Sequence, residues 1–372
     1  MPFLNFENHE NHENWENHEN HENHENWENH ENHENHEGGG RRGASGRLSV
    51  ALQSAGEGII GPFNTAFVRD ITLGVHTPKD LFTSVPRTHL SLLLSRALGG
   101  SLVTRFENGA AVVSSNGEII ATVTAPADIE PFKAQLTRVH QDADLRYDRH
   151  AEILSQINDL LSFFAASVRL DPRRRRWTIK LLLTALAAAQ PVTVQVKAIC
   201  AVPRPVDLSP QINPLIDTPG HSAYPSGHAT QAFLLAEILA TLDPTGATIY
   251  RRQAARIAQN RTVAGVHYPV DSRAGALVGS ALAHQFLGRL APSLIEEDKA
   301  WTAVSVPAPN AADANYDFNL LTLDAQHADT LAALRGADPA GPAVNDYDRA
   351  LLDEFWSRVK AEWPGLDDGA AA

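Results

Sequence analysis

Between Arg149 and Leu170 the apolar residues Ile153, Leu154, Ile157, Leu160, Leu161, Phe164 and Val168 recur three and four positions apart. That interval places them on one side of an α-helix and predicts a helix with a single buried face. Pro172 suits a first helical turn and opens a second helix, read as running through Trp177 and Leu181 to about Ala189. Three further helices follow in "ATQAFLLAEILATL", "YRRQAARIAQNRTVAGV" and "SRAGALVGSALAHQFLGRL". "YDRALLDEFWSRVKAEW" reads as an amphipathic helix that closes back on the others, and residues 291–345, rich in Pro, Asn, Asp and Gly, read as long loops. Upstream, "SLVTRFENGAAVVSSNGEIIATVTA" alternates β-branched residues with the turn dipeptides Asn108-Gly109 and Asn116-Gly117, which predicts short strands in hairpins. The fold expected is mainly α, a helical bundle with a small mixed region before it. The boundaries read from these patterns are 1–46 (tail and linker), 47–130 (mixed), 131–292 (helical core) and 293–372 (loops and closing helix).

Composition changes this picture at one place. Residues 7–37 repeat Glu-Asn-X with X mostly His, and no apolar face can form at a period of three, so this tail is expected to be disordered. Its eight histidines read either as a metal-binding tract or as a translated simple repeat. It carries eleven glutamates and no Lys or Arg, and without them the net charge moves from −13 to −2. The remaining body is therefore near neutral and offers no general field for nucleic acid, the run "PRRRRW" being a solvated helix face. With one cysteine, Cys200, no intrachain disulfide can form. No signal peptide and no uninterrupted apolar run of membrane-spanning length is recognised, so a soluble, cytoplasmic protein is the default expectation.

Three clusters carry chemistry: Lys197-x6-Arg204-Pro205, then Pro225-Ser226-Gly227-His228 ahead of an apolar helix, then Asn260-Arg261-x5-His267-x3-Asp271. Forked guanidinium donors on Arg204 and Arg261, the point charge of Lys197 and the helix start at Ser226 and Gly227 suit a tetrahedral oxyanion. Gly227 is expected to let backbone approach the anion closely. Asp271 can hold the Nδ1–H of His267, leaving Nε2 as an electron-pair donor, with His228 as general acid or base. His221, seven residues before His228, is either a second imidazole at this site or a solvent-facing turn residue.

Together these clusters resemble the signature of the type 2 phosphatidic acid phosphatase and vanadium-dependent haloperoxidase superfamily, over roughly residues 150–290, and its soluble haloperoxidase-like branch. The pattern departs at Asn260, where the family usually has Ser. The resemblance implies a helical fold with one anion pocket and two chemistries. In a haloperoxidase the residue at His267 ligates vanadate, hydrogen peroxide oxidises halide, and the residue at His228 is the acid–base group. In an acid phosphatase no cofactor is needed, the residue at His267 attacks phosphorus of a phosphate ester, and the residue at His228 protonates the leaving oxygen. A histidine at the position of His221 resembles the algal-type bromoperoxidases, which favours the haloperoxidase reading. The resemblance is also compatible with a homodimer.

Overall fold

The computed structural model describes residue 74 and residues 76–292, 303–335 and 344–364. The repeat tail, the Gly-rich linker and the mixed pattern before residue 74 lie outside the described residues. Two helices, α1 (Pro78–Ser84) and α2 (Arg87–Gly99), lead into strands β1 (Leu102–Glu107), β2 (Ala110–Ser115) and β3 (Glu118–Thr124). Both predicted hairpin turns are present: Asn108 and Gly109 have φ of 50° and 77°, Asn116 and Gly117 have 50° and 92°. Two consecutive positive φ values are the backbone that Asn-Gly supplies at least cost, and they match the twist of the paired strands. The pairs β1–β2 and β2–β3 are antiparallel, with Thr104 opposite Val113 and Val112 opposite Thr122. A fourth strand, β4 (Val304–Val306), adds in parallel beside β3, Thr122 facing Ser305.

Helices then dominate: α3 (Glu130–Asp142), α4 (Arg146–Asn158), α5 (Leu161–Val168), α6 (Pro172–Cys200), the short α7 (Pro205–Leu208), α8 (Gly227–Leu242), α9 (Ala247–Val263) and α10 (Pro269–Leu290). After β4 come α11 (Leu320–Arg335) and α12 (Asp346–Lys360). The single helix expected over 149–170 is two. Asp159 is extended, and its side-chain oxygen accepts from Ser162 N at 2.9 Å, so it ends α4 and caps α5. Helix α6 outruns its expected end at Ala189 and continues through Pro191 to Cys200. Burial of Ala188, Ala189, Val192 and Val196 around the proline offsets the missing backbone bond. In the stretch read as loops, Asn319 and Thr322 cap one another across the start of α11, which buries Leu323, Leu331 and Leu334.

Almost every residue of α10 is buried, as expected of a helix with small or apolar residues all round it. It packs most extensively against α8. Gly275 and Gly279 make that approach possible: a Cβ would stand 2.5 Å from Ser226 O at the first and 2.3 Å from Thr230 O at the second. Arginine–carboxylate pairs tie the helices together, Arg251 to Glu237 between α9 and α8 and Arg273 to Asp313 between α10 and the turn 311–315. Within α6, Arg175 leaves helical geometry, and the exposed donors of the break are taken from far along the chain. Glu362 accepts from Trp177 N, Thr178 N and Thr178 Oγ1 at 2.7–2.8 Å.

Among the described residues one helical stretch, Pro172–Leu208, is long and apolar enough to cross a membrane, with mean hydropathy 1.4 over its richest window. This departs from the expectation that no segment qualifies. The interruptions at Lys180, Gln190 and Pro191 do not lower the window average enough. Of that window, 56% is buried inside the protein, as fits a core helix packed by α2, α8 and the sheet.

Candidate active site

The three sequence clusters converge because five helix ends meet, those of α6 and α9 and the starts of α7, α8 and α10. Lys197 lies in the last turn of α6 and Arg204 just before α7, where Arg204 N donates to Asp207 Oδ2 at 2.8 Å. The following loop is folded back by Ala223 N to Val202 O at 2.9 Å, and by Ser222 Oγ, which accepts from Val202 N at 2.9 Å. This returns residues 221–226 to the end of α6. Ser226 then caps α8, accepting from Ala229 N at 3.3 Å. Arg261 ends α9, and His267 follows a turn through Gly265, whose φ is +82° and where a Cβ would press on Arg146 Nη2 at 2.6 Å.

Around His267 the geometry is tight and directional. Its Nδ1 lies 2.8 Å from Asp271 Oδ2, which also accepts from Tyr268 N at 2.9 Å. A carboxylate only accepts, so Nδ1 carries the proton and the Nε2 lone pair points away from Asp271. Arg204 Nη1 donates toward that lone pair at 3.0 Å and to Val266 O at 2.8 Å. Burial, then the charges of Arg204 and Lys197, hold the His267 imidazole well below its usual range, which favours its neutral form. Burial also pushes the Asp271 carboxyl upward.

Lys197 Nζ donates to Ser222 O at 2.8 Å and Ala223 O at 3.4 Å. Burial and the neighbouring Arg204 push its ammonium down to about 7. Arg261 is fully buried. It donates to Ile153 O and Gln156 Oε1, each at 3.2 Å, while its Nε and Nη1 have no hydrogen-bond partner. Two orphaned guanidinium donors inside a protein are costly unless an acceptor comes to them. His228 is half-buried and bonds through Nε2 to Gln156 O at 3.1 Å. A carbonyl only accepts, so Nε2 bears hydrogen and Nδ1 is the atom left to gain or lose a proton. Burial and then Arg261 hold this imidazole well below its usual range as well.

His221 is exposed, but it is no free turn residue: its Nδ1 lies 3.1 Å from Arg204 Nη2, and its carbonyl accepts from Arg204 Nε at 3.1 Å. Burial of its ring, then Lys197, push it down to about 4. His221 and Arg204 line a cleft of about 480 Å³ together with Val202, Pro203, Val206 and Pro219. Two expectations are corrected. Neither turn amide has an acceptor within α8, but Ser226 N is spent on Asp271 O of α10 at 2.9 Å, which leaves only Gly227 N, first in its helix, to serve an anion. A Cβ on Gly227 would meet only Lys197 Cε at an ordinary 3.6 Å; the crowding that demands glycine lies opposite, at Gly275.

The departure at Asn260 also finds a physical role. Its longer amide spans to α4, accepting from Arg149 Nη1 at 3.0 Å and donating to Glu152 Oε1 and Gln156 Oε1 at 2.9 Å each. Gln156 is the residue the motifs did not reveal. Its signal was a lone amide on the apolar face of α4, three positions after Ile153. Among the described residues no group of three or more His, Cys, Asp or Glu is placed to hold a metal cation. No curated protein matches the chain. Residues 178–290 match the model of the PAP2 superfamily, and that span runs from within α6 to the end of α10, enclosing all three clusters. Lys197, Arg204, Arg261 and the His267–Asp271 pair are all gathered inside the matched span, so residues 178–290 are similar to the PAP2 superfamily in the very region that builds the site.

Proposed function

We propose that this protein is a haloperoxidase of the superfamily, holding vanadate among Lys197, Arg204, Arg261 and His267 and using hydrogen peroxide to oxidise halide. The residues fit that group: Arg261 offers two buried donors with no other acceptor, and His267 offers a neutral Nε2. When bound, vanadate supplies the Lewis acid that activates peroxide toward halide. The net reaction, hydrogen peroxide with halide and a proton giving hypohalous acid and water, needs protons moved at the site. His228 Nδ1 and the His221 ring, both kept neutral by burial and nearby cations, accept protons shed by incoming peroxide and return them to the departing water. Asp271 holds His267 in the one tautomer that keeps Nε2 available.

The observation that carries this reading over phosphate-ester hydrolysis is the third imidazole. His221 is bonded to the same guanidinium that touches His267, on the side of the open cleft. A phosphohistidine mechanism needs one nucleophile and one acid, which His267 and His228 supply by themselves. The deciding experiment is bromide- and peroxide-dependent halogenation by purified protein titrated with orthovanadate. Saturable, vanadate-dependent turnover supports the peroxidase. Absence of that turnover, with hydrolysis of p-nitrophenyl phosphate inhibited by vanadate, makes it a phosphatase.

A further inference from the structure

Arginines in the scaffold of this protein carry their own countercharges. Arg251 forks onto Glu237 at 2.8 and 3.0 Å, and Arg256 onto Glu152 at 2.7–2.9 Å. Arg261 is buried more completely than either, yet among the described residues it bonds to no carboxylate. The neighbouring acid, Glu152, is already shared between Arg256, Asn260 Nδ2 and Gln156 Nε2. What Arg261 receives from α4 is the amide oxygen of Gln156, itself fully buried.

The direction of that amide is dictated by groups that cannot reverse roles. Arg149 can only donate, so it takes Asn260 Oδ1 and turns Asn260 Nδ2 toward Gln156 Oε1. Glu152, its carboxylate held below the usual range by Arg256 against the cost of burial, only accepts. It therefore takes Gln156 Nε2 at 3.1 Å and leaves Gln156 Oε1 facing Arg261. The same residue's backbone carbonyl holds His228 Nε2. One turn of α4 thus orients both the anion-binding cation and the proton-handling imidazole.

We propose that Gln156 is a positioning residue of the anion pocket, whose neutral oxygen orients Arg261 while leaving its positive charge for the bound oxyanion. A carboxylate at this position would make the same hydrogen bond and cancel the charge. This inference rests on the anion pocket of the proposed function, and not on which of the two anion chemistries runs there.

Charge and shape are separated by two substitutions, Gln156→Glu and Gln156→Leu. Full-length protein is titrated calorimetrically with orthophosphate and with orthovanadate at a single pH near neutrality, alongside melting curves. Glu keeps the shape and the acceptor toward Arg261 while losing the donor to Glu152, whereas Leu removes every side-chain polar contact and leaves the backbone carbonyl on His228. Q156E is expected to weaken anion binding about tenfold or more, by supplying Arg261 with an internal countercharge. Q156L is expected to weaken it only by about two- to fivefold, because Arg261 keeps its full charge and its bond to Ile153 O and loses only an orienting contact. A purely structural role predicts the reverse order, and that order, or wild-type affinity in Q156E, overturns the proposal. Should Q156E fail to fold, Q156L decides alone: a loss as large as that of Arg261→Met, or none, overturns it. Wild-type protein that binds neither anion overturns the pocket itself, an outcome distinct from unchanged binding in the variants.

Discussion

Arg273 and Arg261 are both buried at the centre of the helical core, and they are built in opposite ways. Arg273 lies 2.5 and 3.1 Å from the two oxygens of Asp313 and stacks over the Tyr316 ring, so its charge is balanced where it sits. Arg261 meets only neutral oxygens and keeps two donors unpartnered. The first arrangement holds a structure together. On the proposed function the second stores binding capacity, because desolvation has been incurred without the compensating charge, and an arriving anion would recover it. The hydrogen bonds of Lys197 follow the second pattern, reaching only carbonyl oxygens.

The sharpest way to break this contrast is at the atom the uncompensated cations surround. His267→Ala should reduce turnover to background and abolish retention of vanadate, read by activity and by vanadium content after desalting. His228→Ala should keep the anion and slow turnover by about 10²–10⁴-fold, the range for a lost acid–base group. Unchanged turnover in either variant would contradict the assigned role. Next come the two arginines themselves. Arg273→Met should cost about 3–5 kcal/mol of stability, since it strands Asp313, with anion affinity retained. Arg261→Met should lower anion affinity by about 10- to 100-fold with little change in melting temperature. An exchange of these outcomes would erase the distinction.

The smallest effect expected is on pH dependence. The Lys197 ammonium is destabilised in the ligand-free fold and titrates near 7 rather than 10.5. A bound anion favours the charged form, so above that pH binding must take up a proton and weakens by at most about tenfold per pH unit. Calorimetry in buffers of different ionisation enthalpy should record this uptake in the wild type. Lys197→Met should lose the Lys197 share of it, leaving only the anion's own titration.

The chemistry was legible in the sequence to the extent that it depends on residue types at fixed spacings along single helices or turns. His267 and Asp271 lie four residues apart across a helix start, and that spacing alone foretells their hydrogen bond. The hairpins at Asn108-Gly109 and Asn116-Gly117 are local in the same sense. What escaped is long-range. Gln156 acquires its role only when α4 is laid against α9, 105 residues away from Arg261, and nothing in its own neighbourhood marks it beyond an amide among apolar residues. Strand β4 is three residues long and is defined by its partner, and the passage of α6 through Pro191 depends on packing around it. The extent of α11 was missed for a different reason, since its reciprocal Asn319–Thr322 cap stood inside a composition that resembled loop.

The reach of Glu362 to the break in α6 has a consequence for the order in which the molecule can be assembled. Helix α6 carries Lys197 at one end, and the orphaned amides of Trp177 and Thr178 lie near the other. Those amides wait for a carboxylate 185 residues downstream of Trp177. Asp171 seals the first turn as soon as it forms, but the turn after the break stays unsealed until Glu362, which follows every other element of the pocket in the chain, has been made. Closure of so long a loop is a slow class of contact. The anion site is thus expected to mature late, as a property of the finished chain.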